Sequence, residues 1–235
     1  DFLLSKTCYG KEKTPLIYPV LLANLTLHNF KKINIWHGNA LTNNEIYGEL
    51  YSEAPTKYDI ILTNPPFGGK EGDEVAARFP YKTKKTQFLF LQDWMDSLKD
   101  NGRAASVVDE GILFRTDEKA FVQIKKKLLS ECNLWCVISL PPGVFKVAGG
   151  NVKTNLIFFE KGGQTKDIFY YDLSKIKVTK KKPLTLDKFE DFLDIYKENK
   201  STINSWIVNF PLIKEKAYLE INDLKKQLNS LTDIN

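Results

Sequence analysis

The fold is decided by residues 58–67, which read Tyr58-Asp59-Ile60-Ile61-Leu62-Thr63-Asn64-Pro65-Pro66-Phe67. The first six residues are rich in β-formers and are apolar at both odd and even positions, which predicts a strand buried on both faces. The two prolines lack backbone N–H donors, so they end the strand in a loop. Strands buried on both faces are typical of parallel sheets covered by helices, and the stretch therefore predicts an α/β fold.

The rest of the chain alternates short apolar runs with amphipathic stretches, which fits an open, doubly wound sheet. Further strands are predicted at 33–36, 103–108, 134–140 and 154–160, with an edge strand at 168–173. Helices are predicted at 15–29 and 88–98, and a third one is expected to be capped by Thr116 or Asp117. The polar, glycine-containing segment 68–86 is expected to be a long mobile loop.

A change in composition near Lys177 suggests a division of the chain. The alternation of strands and helices occupies residues 1–176, whereas 177–235 is first Lys-rich and then helical in pattern. We therefore predict one domain over 1–176 and a helical C-terminal tail over 177–235. The apolar spacing of 219–231 suits packing either on a partner helix or on the same domain.

Composition and charge narrow the class of protein. The chain has 235 residues, of which 43% are hydrophobic, enough for one α/β domain with a small appendage. It shows no apolar run of the roughly 18 residues that a membrane span requires and no signal-peptide pattern, so we expect a cytoplasmic protein without a membrane partner. The net charge of +5 suits a polyanionic partner without requiring one.

The cysteines and histidines do not suggest a metal site. Cys8, Cys132 and Cys136 form neither a disulfide framework nor a CxxC pair, and the last two are predicted to be buried thiols. His28 and His37 belong to no ligand cluster and are expected to be structural. We predict that the protein holds no metal ion.

Unusual loops follow several of the predicted strands. In doubly wound sheets, ligands bind at the carboxyl ends of the strands, so loops at those ends are candidate site elements. Four such loops stand out: 10–12 (Gly-Lys-Glu), 38–39 (Gly-Asn), 64–67 (Asn-Pro-Pro-Phe) and 109–111 (Asp-Glu-Gly).

The loop Asn64-Pro65-Pro66-Phe67 has the groups needed to methylate a planar amine. The Asn64 side chain and the Pro65 carbonyl can accept both protons of an exocyclic amino group, which keeps the nitrogen lone pair available and stabilises the developing positive charge. Phe67 offers a ring for base stacking, worth about 1–3 kcal/mol. A base inside duplex DNA would have to be flipped out to reach such a site. The alternative is an ordinary turn that contains two prolines.

Several segments together resemble the modification subunit of type I restriction–modification systems, a family of adenine-N6 DNA methyltransferases. The matching segments, in the family's order, are Gly10 to Glu12, a helix containing Asn24, 37–41 (His-Gly-Asn-Ala-Leu), 58–69, 101–114, 138–145 and 152–159. The resemblance covers roughly residues 10–161, with a weaker match at Ser205-Trp206.

The resemblance implies a fold, an activity and partners. The fold would be the Rossmann-like sheet of class I S-adenosylmethionine-dependent methyltransferases, with residues 1–176 as the catalytic domain. The activity would be transfer of a methyl group from S-adenosylmethionine to the N6 amino group of a flipped adenine in double-stranded DNA. The partners would be a specificity subunit that sets the DNA target and, in addition, a restriction subunit.

The resemblance also implies cofactor contacts. Glu12 would accept hydrogen bonds from the ribose hydroxyls of S-adenosylmethionine, with a surface role as the alternative. Asn39 would read the cofactor adenine, with a turn-forming role as the alternative. Ala40, Leu41 and Asn64 complete the implied cofactor site, although Leu41 and Phe67 would equally suit the core.

The chain departs from the family pattern at two places. It has Asp109-Glu110-Gly111 where the family usually has Pro-Asp-Gly or Pro-Glu-Gly, which puts a specific role of Asp109 in doubt. The family's first strand and its glycine-rich cofactor loop are not found before Gly10. We therefore expect an N-terminally truncated domain whose sheet lacks its central strand, and whose isolated chain binds the cofactor poorly and is weakly active or inactive.

Rival functions share parts of this pattern. Asn-Pro-Pro followed by an aromatic residue also occurs in methyltransferases that act on protein glutamine and on guanine N2 of ribosomal RNA. A non-catalytic fragment that only binds a specificity subunit is a rival of another class. The segments 146–153 and 180–182 are lysine-containing and suit either phosphate contact or simple solvation.

Overall fold

The computed structural model describes residues 2–42, 54–145 and 152–211. Its first part is a two-stranded parallel sheet made of β1 (Tyr9–Glu12) and β2 (Asn34–His37), whose register runs from Tyr9↔Asn34 to Glu12↔His37. Helix α1 (Leu3–Lys6) precedes β1, and α2 (Ile17–Leu27) connects the two strands without burying any of its residues fully.

The second part is a six-stranded sheet with the spatial order β3-β4-β6-β5-β7-β8. Its strands are β3 (Tyr58–Thr63), β4 (Leu98–Asp109), β5 (Cys132–Ser139), β6 (Thr154–Lys161), β7 (Asp167–Asp172) and β8 (Ser205–Asn209). The pairs β3/β4 and β5/β7 are parallel, whereas β6 is antiparallel to both β4 and β5, and β8 is antiparallel to β7. The carboxyl ends of β3, β4, β5 and β7 therefore lie at one edge of the sheet, together with the amino end of β6.

Helices cover both faces of the larger sheet. They are α3 (Asp73–Ala77), α4 (Thr86–Ser97), α5 (Glu110–Phe114), α6 (Lys119–Glu131), a 3-10 helix (Leu186–Phe189) and α7 (Glu190–Lys197). On one face, Phe88 of α4 stacks on Phe121 of α6 with ring centroids 3.8 Å apart, and both are buried. On the other face, Phe192 and Tyr196 of α7 pack against the sheet. The predicted α/β sheet with helices on both faces is confirmed.

Among the described residues, the strands form two separate sheets. The two sheets face each other across a cavity of about 590 Å³, which is lined by β1 on one side and by β3 on the other. The prediction that β3 is buried on both faces was wrong, because Ile60 is 55% exposed and Leu62 is 78% exposed. β3 is an edge strand, and Ile61 alone of its central residues packs against the core.

Three other local predictions need correction. Residues 167–172 form an inner strand and not an edge strand, because β8 pairs with them from the region predicted to be a helical tail. Residues 68–86 contain α3 and a bridge between Lys70 and Lys85, so this segment is not an unstructured loop. Helix α6 begins at Lys119, so Glu118 holds the N-cap position and neither Thr116 nor Asp117 caps the helix; the Asp117 carboxylate instead pairs with Arg115 at 2.6 Å.

The predicted C-terminal tail is described as far as residue 211. In the predicted tail, α7 is helical as expected, whereas β8 adds a strand to the sheet. Residues 219–231 lie outside the described residues, and the boundary at 176/177 stays a prediction. None of the helices in the described ranges is long and apolar enough to cross a bilayer.

Candidate active site

The predicted loop Asn64–Phe67 lies at the edge where the parallel strands end, directly after β3. Asn64 and Pro66 are exposed, Pro65 is buried, and Phe67 is half-buried. The Phe67 ring contacts the ring of Phe145 edge-on, with centroids 4.9 Å apart and planes at 65°. Because Phe145 follows β5, the structure brings together two loops that are far apart in the sequence.

Gln87 connects the Asn64–Phe67 loop to the end of β4. Its side-chain amide donates to the carbonyl oxygen of Pro66 at 3.4 Å and accepts from the backbone N–H of Asp109 at 3.1 Å. Gln87 is 3% exposed, so its side chain is buried between these two segments. Gln87 was not predicted as a site residue. The local sequence pattern of α4 does not show that its first turn faces both the Asn64–Phe67 loop and the end of β4.

Asp109, whose role was left in doubt, is the N-cap of α5. Its side-chain oxygen accepts from the backbone N–H of Ile112 at 3.0 Å, which satisfies one of the free donors of the first turn. The next residue, Glu110, forms an ion pair with Lys153 at 2.5 Å. Lys153 thus binds a carboxylate of its own chain, and the rest of segment 146–153 other than Val152 lies outside the described residues.

Glu12 ends β1 and is half-buried. One carboxylate oxygen accepts from the backbone N–H of Thr14 at 2.6 Å, and its backbone carbonyl accepts from Gly38 at 2.8 Å. The carboxylate is therefore oriented by its own loop. Its second oxygen suits a diol, so Glu12 fits the ribose end of the implied cofactor.

Asn39 follows β2 and is held by a residue that the sequence analysis did not single out. Its side-chain amide donates to Glu71 at 2.9 Å, and its side-chain oxygen accepts from the backbone N–H of Leu41 at 3.0 Å. Glu71 also pairs with Lys13 at 3.4 Å, and its side chain is only 10% exposed. Glu71 therefore links the loops after β1 and β2 to the segment that follows Phe67.

Ala40 and Leu41 have different surroundings. Ala40 lines the cavity between the two sheets. Leu41 is 0% exposed and forms a small core cluster with Phe79 and Leu89. Of the two roles considered for Leu41, the structure shows the core role, and its side chain has no surface left for a ligand.

The large cavity shares only Ala40 with the predicted site residues. Its lining includes neither Glu12 nor Asn64 nor Phe67. It does include Lys11 and Asp93, whose ionised forms are disfavoured by burial: the pKa of Asp93 rises to about 6 and that of Lys11 falls to about 8. The cavity separates β1 from β3 laterally, whereas the predicted site lies at the ends of these strands.

The predictions for cysteines and for one histidine agree with the structure. Cys132 and Cys136 are free and buried, and burial raises the pKa of their thiols to about 11 and about 12. His28 has a structural contact, as its ring nitrogen lies 2.8 Å from the carbonyl oxygen of Asn24 near the end of α2.

Comparisons with known proteins agree with this geometry. Residues 3–228 match the family model described as N-6 DNA Methylase. The methylase subunit of the type I restriction enzyme EcoEI from Escherichia coli is 37% identical over 198 residues, which are 81% of this chain and 39% of that protein. A chain from a solved type I R-M system superposes with a TM-score of 0.78 at 32% identity, covering 99% of this chain and 54% of that one.

A more distant structure shows the fold alone. A Listeria monocytogenes protein described as a class I S-adenosylmethionine-dependent methyltransferase superposes with a TM-score of 0.63 at 18% identity, covering 81% of this chain and 54% of that one. The fold is that of the class I S-adenosylmethionine-dependent methyltransferases. Within that class, the chain belongs to the N-6 DNA methylase family. It spans about two fifths of the length of the curated relative named above.

Proposed function

We propose that the protein transfers a methyl group from S-adenosylmethionine to the N6 amino group of adenine in DNA, as the modification subunit of a type I restriction–modification system. The observation that carries the proposal is the Asn64–Phe67 loop at the carboxyl end of β3, with Phe67 against Phe145 and Pro66 bound to Gln87. The family match and the relative from Escherichia coli support it.

The loop suits the amino group of a flipped adenine. The exposed Asn64 side chain and the Pro65 carbonyl would accept its two protons, which leaves the nitrogen lone pair directed at an electrophile. Phe67 would stack on the base once the Phe145 ring moves aside. The rival enzymes act on the N2 amino group of guanine or on the side-chain amide of glutamine, and both groups are planar and would suit the same loop. The family match favours adenine in DNA.

The residues after β1 and β2 would hold the cofactor. Glu12 would bind the ribose hydroxyls, and Asn39, oriented by Glu71, would lie near the adenine with Ala40. When bound, S-adenosylmethionine supplies an electrophilic methyl group. Asn64 would contact both the cofactor and the target base, because it is exposed at the carboxyl end of β3.

The partners follow from the same proposal. A specificity subunit would select the DNA sequence, and a restriction subunit would join the assembled complex. The similarity to a chain of a solved type I R-M system supports an assembly of this kind. The net charge of +5 is compatible with a DNA partner.

The test is methyl transfer by the complete protein assembled with its specificity subunit. Labelled methyl from S-adenosylmethionine should appear in DNA as N6-methyladenine, identified by mass spectrometry. In Asn64→Ala the kcat should fall on the order of 10²- to 10³-fold, because one acceptor for the amino protons is lost.

A matched control separates chemistry from folding. Asn133→Ala changes an asparagine at the amino end of β5, at the opposite edge of the sheet, and should leave kcat unchanged. Methylated ribosomal RNA or protein, with unmodified DNA, would transfer the proposal to the rival enzymes. If the assembled complex methylates none of these substrates, the proposed methyltransferase activity would give way to the alternative of a non-catalytic chain that only binds a specificity subunit.

A further inference from the structure

We propose that Gln87 is a positioning residue that fixes the Asn64–Phe67 loop for methyl transfer; this inference rests on the proposed function. The two prolines limit the hydrogen bonds that can fix the conformation of this loop. Pro65 and Pro66 have no backbone N–H, so this part of the loop can be anchored through its backbone only by its carbonyl oxygens. Gln87 donates to one of these, the Pro66 carbonyl, at 3.4 Å.

Further along the chain, the backbone is held again just before α4. Gly68 and Gly69 follow Phe67 with φ of 80° and 82°, a region open to glycine but strained for other residues. The Gly69 carbonyl accepts from the backbone N–H of Thr86 at 3.5 Å, and Lys70 bridges to Lys85. The bond from Gln87 to the Pro66 carbonyl lies between Asn64 and these contacts.

The other end of the Gln87 amide is equally defined. Its oxygen accepts from the N–H of Asp109, the last residue of β4 and the N-cap of α5. A backbone N–H can only donate and a carbonyl can only accept, which fixes the orientation of the amide. Gln87 therefore ties the loop after β3 to the end of β4, and its neighbour Phe88, stacked on Phe121, holds the backbone of α4 in place.

Gln92 on the same helix provides a matched control. It is 0% exposed, and its amide binds the backbone of Tyr81 in the same two-ended way, accepting from the N–H and donating to the carbonyl at 3.1 Å each. Tyr81 belongs to the segment before α4, and in the described part of the chain the side-chain bonds of Gln92 go to Tyr81 and Phe88 and not to the Asn64–Phe67 loop. Loss of either side-chain amide should therefore destabilise the fold by a similar amount. Only the loss of the Gln87 amide should also disturb the Asn64–Phe67 loop.

The experiment compares Gln87→Glu with Gln92→Glu in the complete, assembled protein. A carboxylate at position 87 still accepts from Asp109 but repels the Pro66 carbonyl. We expect kcat to fall on the order of 10- to 100-fold with little change in either KM, because the loop is misplaced while binding surfaces remain. Lowering the pH should restore part of the kcat of Gln87→Glu, since a protonated carboxyl can donate to Pro66 again.

Several outcomes decide the proposal. Gln92→Glu should lose a similar amount of stability in urea without the fall in kcat or its recovery in acid. Equal kcat values for the two variants, or a pH profile of Gln87→Glu that parallels the wild type, would overturn the positioning role while the proposed function stands. If wild-type protein methylates no DNA, the proposed function fails and this role fails with it.

A second variant covers failure to fold. Gln87→Met keeps the length of the side chain and removes both hydrogen bonds without adding charge. It should show the same fall in kcat without recovery in acid, and the Asp109 amide should exchange its hydrogen faster than in wild type. Unchanged kcat in a folded Gln87→Met protein would also overturn the proposal.

Discussion

The two sheets of the molecule differ in how they are stabilised. Of residues 2–42, which hold the small sheet, only Asn34 and Leu41 are fully buried, whereas the larger sheet has apolar clusters on both faces. The proposed amine-binding loop belongs to the well-packed part, and the proposed cofactor residues Glu12 and Asn39 belong to the other. Binding of the target base and binding of the cofactor are thus assigned to parts of unequal rigidity.

The largest expected difference concerns the core. Phe121→Ala removes a fully buried ring stacked on Phe88 and should lower the free energy of unfolding by about 3–5 kcal/mol. Leu27→Ala, at an 81% exposed position of α2, should change it by less than about 0.5 kcal/mol. Urea denaturation measures both, and similar losses in the two variants would contradict the comparison.

Hydrogen exchange should show the same contrast without mutation. Backbone amides that bond across β1 and β2 should exchange at least about tenfold faster than those of the β4-β6-β5 ladders, because fewer buried contacts oppose local opening. Native-state exchange measured by NMR, with the two sets compared in one sample, tests this. Equal protection would mean that the two sheets open as one unit.

A smaller effect is expected from the cavity between the sheets. Burial raises the pKa of Asp93 in the folded state from 3.8 to about 6, so the protonated form favours folding. Its contribution is complete below pH 3.8 and is lost as the pH rises through about 6. Relative to Asp93→Asn, wild-type protein should therefore become less stable over this range.

The contribution of Asp93 is obtained from the difference in the free energy of unfolding between wild type and Asp93→Asn, because other carboxylates also titrate in this pH range. The pKa of Asp59, for example, is lowered by its hydrogen bond to Lys99, which gives a slope of opposite sign. Urea denaturation from pH 4 upwards provides the measurement. A constant difference between wild type and Asp93→Asn would show that Asp93 ionises normally.

The smallest effect is expected at the exposed cysteine. Cys8 should react readily with a thiol reagent in the native protein and change stability by less than about 0.5 kcal/mol. Cys132 and Cys136 should react only after unfolding, because burial keeps them as neutral thiols. Rapid native labelling of more than one thiol would contradict the packing of β5.

The sequence predicted what is encoded locally. The end of β3 followed from two adjacent prolines, and the burial of Cys132 and Cys136 followed from a spacing that suits neither a disulfide framework nor a metal site. The placement of β6 between β4 and β5 depends on pairing between distant segments, which no local pattern encodes. β8 was missed because its five residues are too few to show a period within a region that was expected to be helical.

The sequence predicted the Asn64–Phe67 loop of the candidate site but not the residues that hold the site in position. Asn64–Phe67 has a recognisable composition, whereas Gln87 acts on residues 21 and 22 positions away. Glu71 was read as part of a mobile loop, although it binds Asn39 from 32 positions away. Supports of this kind depend on tertiary proximity and leave no periodic signal.

The insertion of β6 also has a consequence for the order of folding. β4 and β5 do not pair with each other, and both wait for the strand that lies between them, residues 154–161. On the ribosome, β5 is complete by residue 139, before that shared neighbour has been made. Until then the backbone N–H and C=O groups along one edge of each strand have no partner, and such unpaired edges expose the growing chain to aggregation during synthesis.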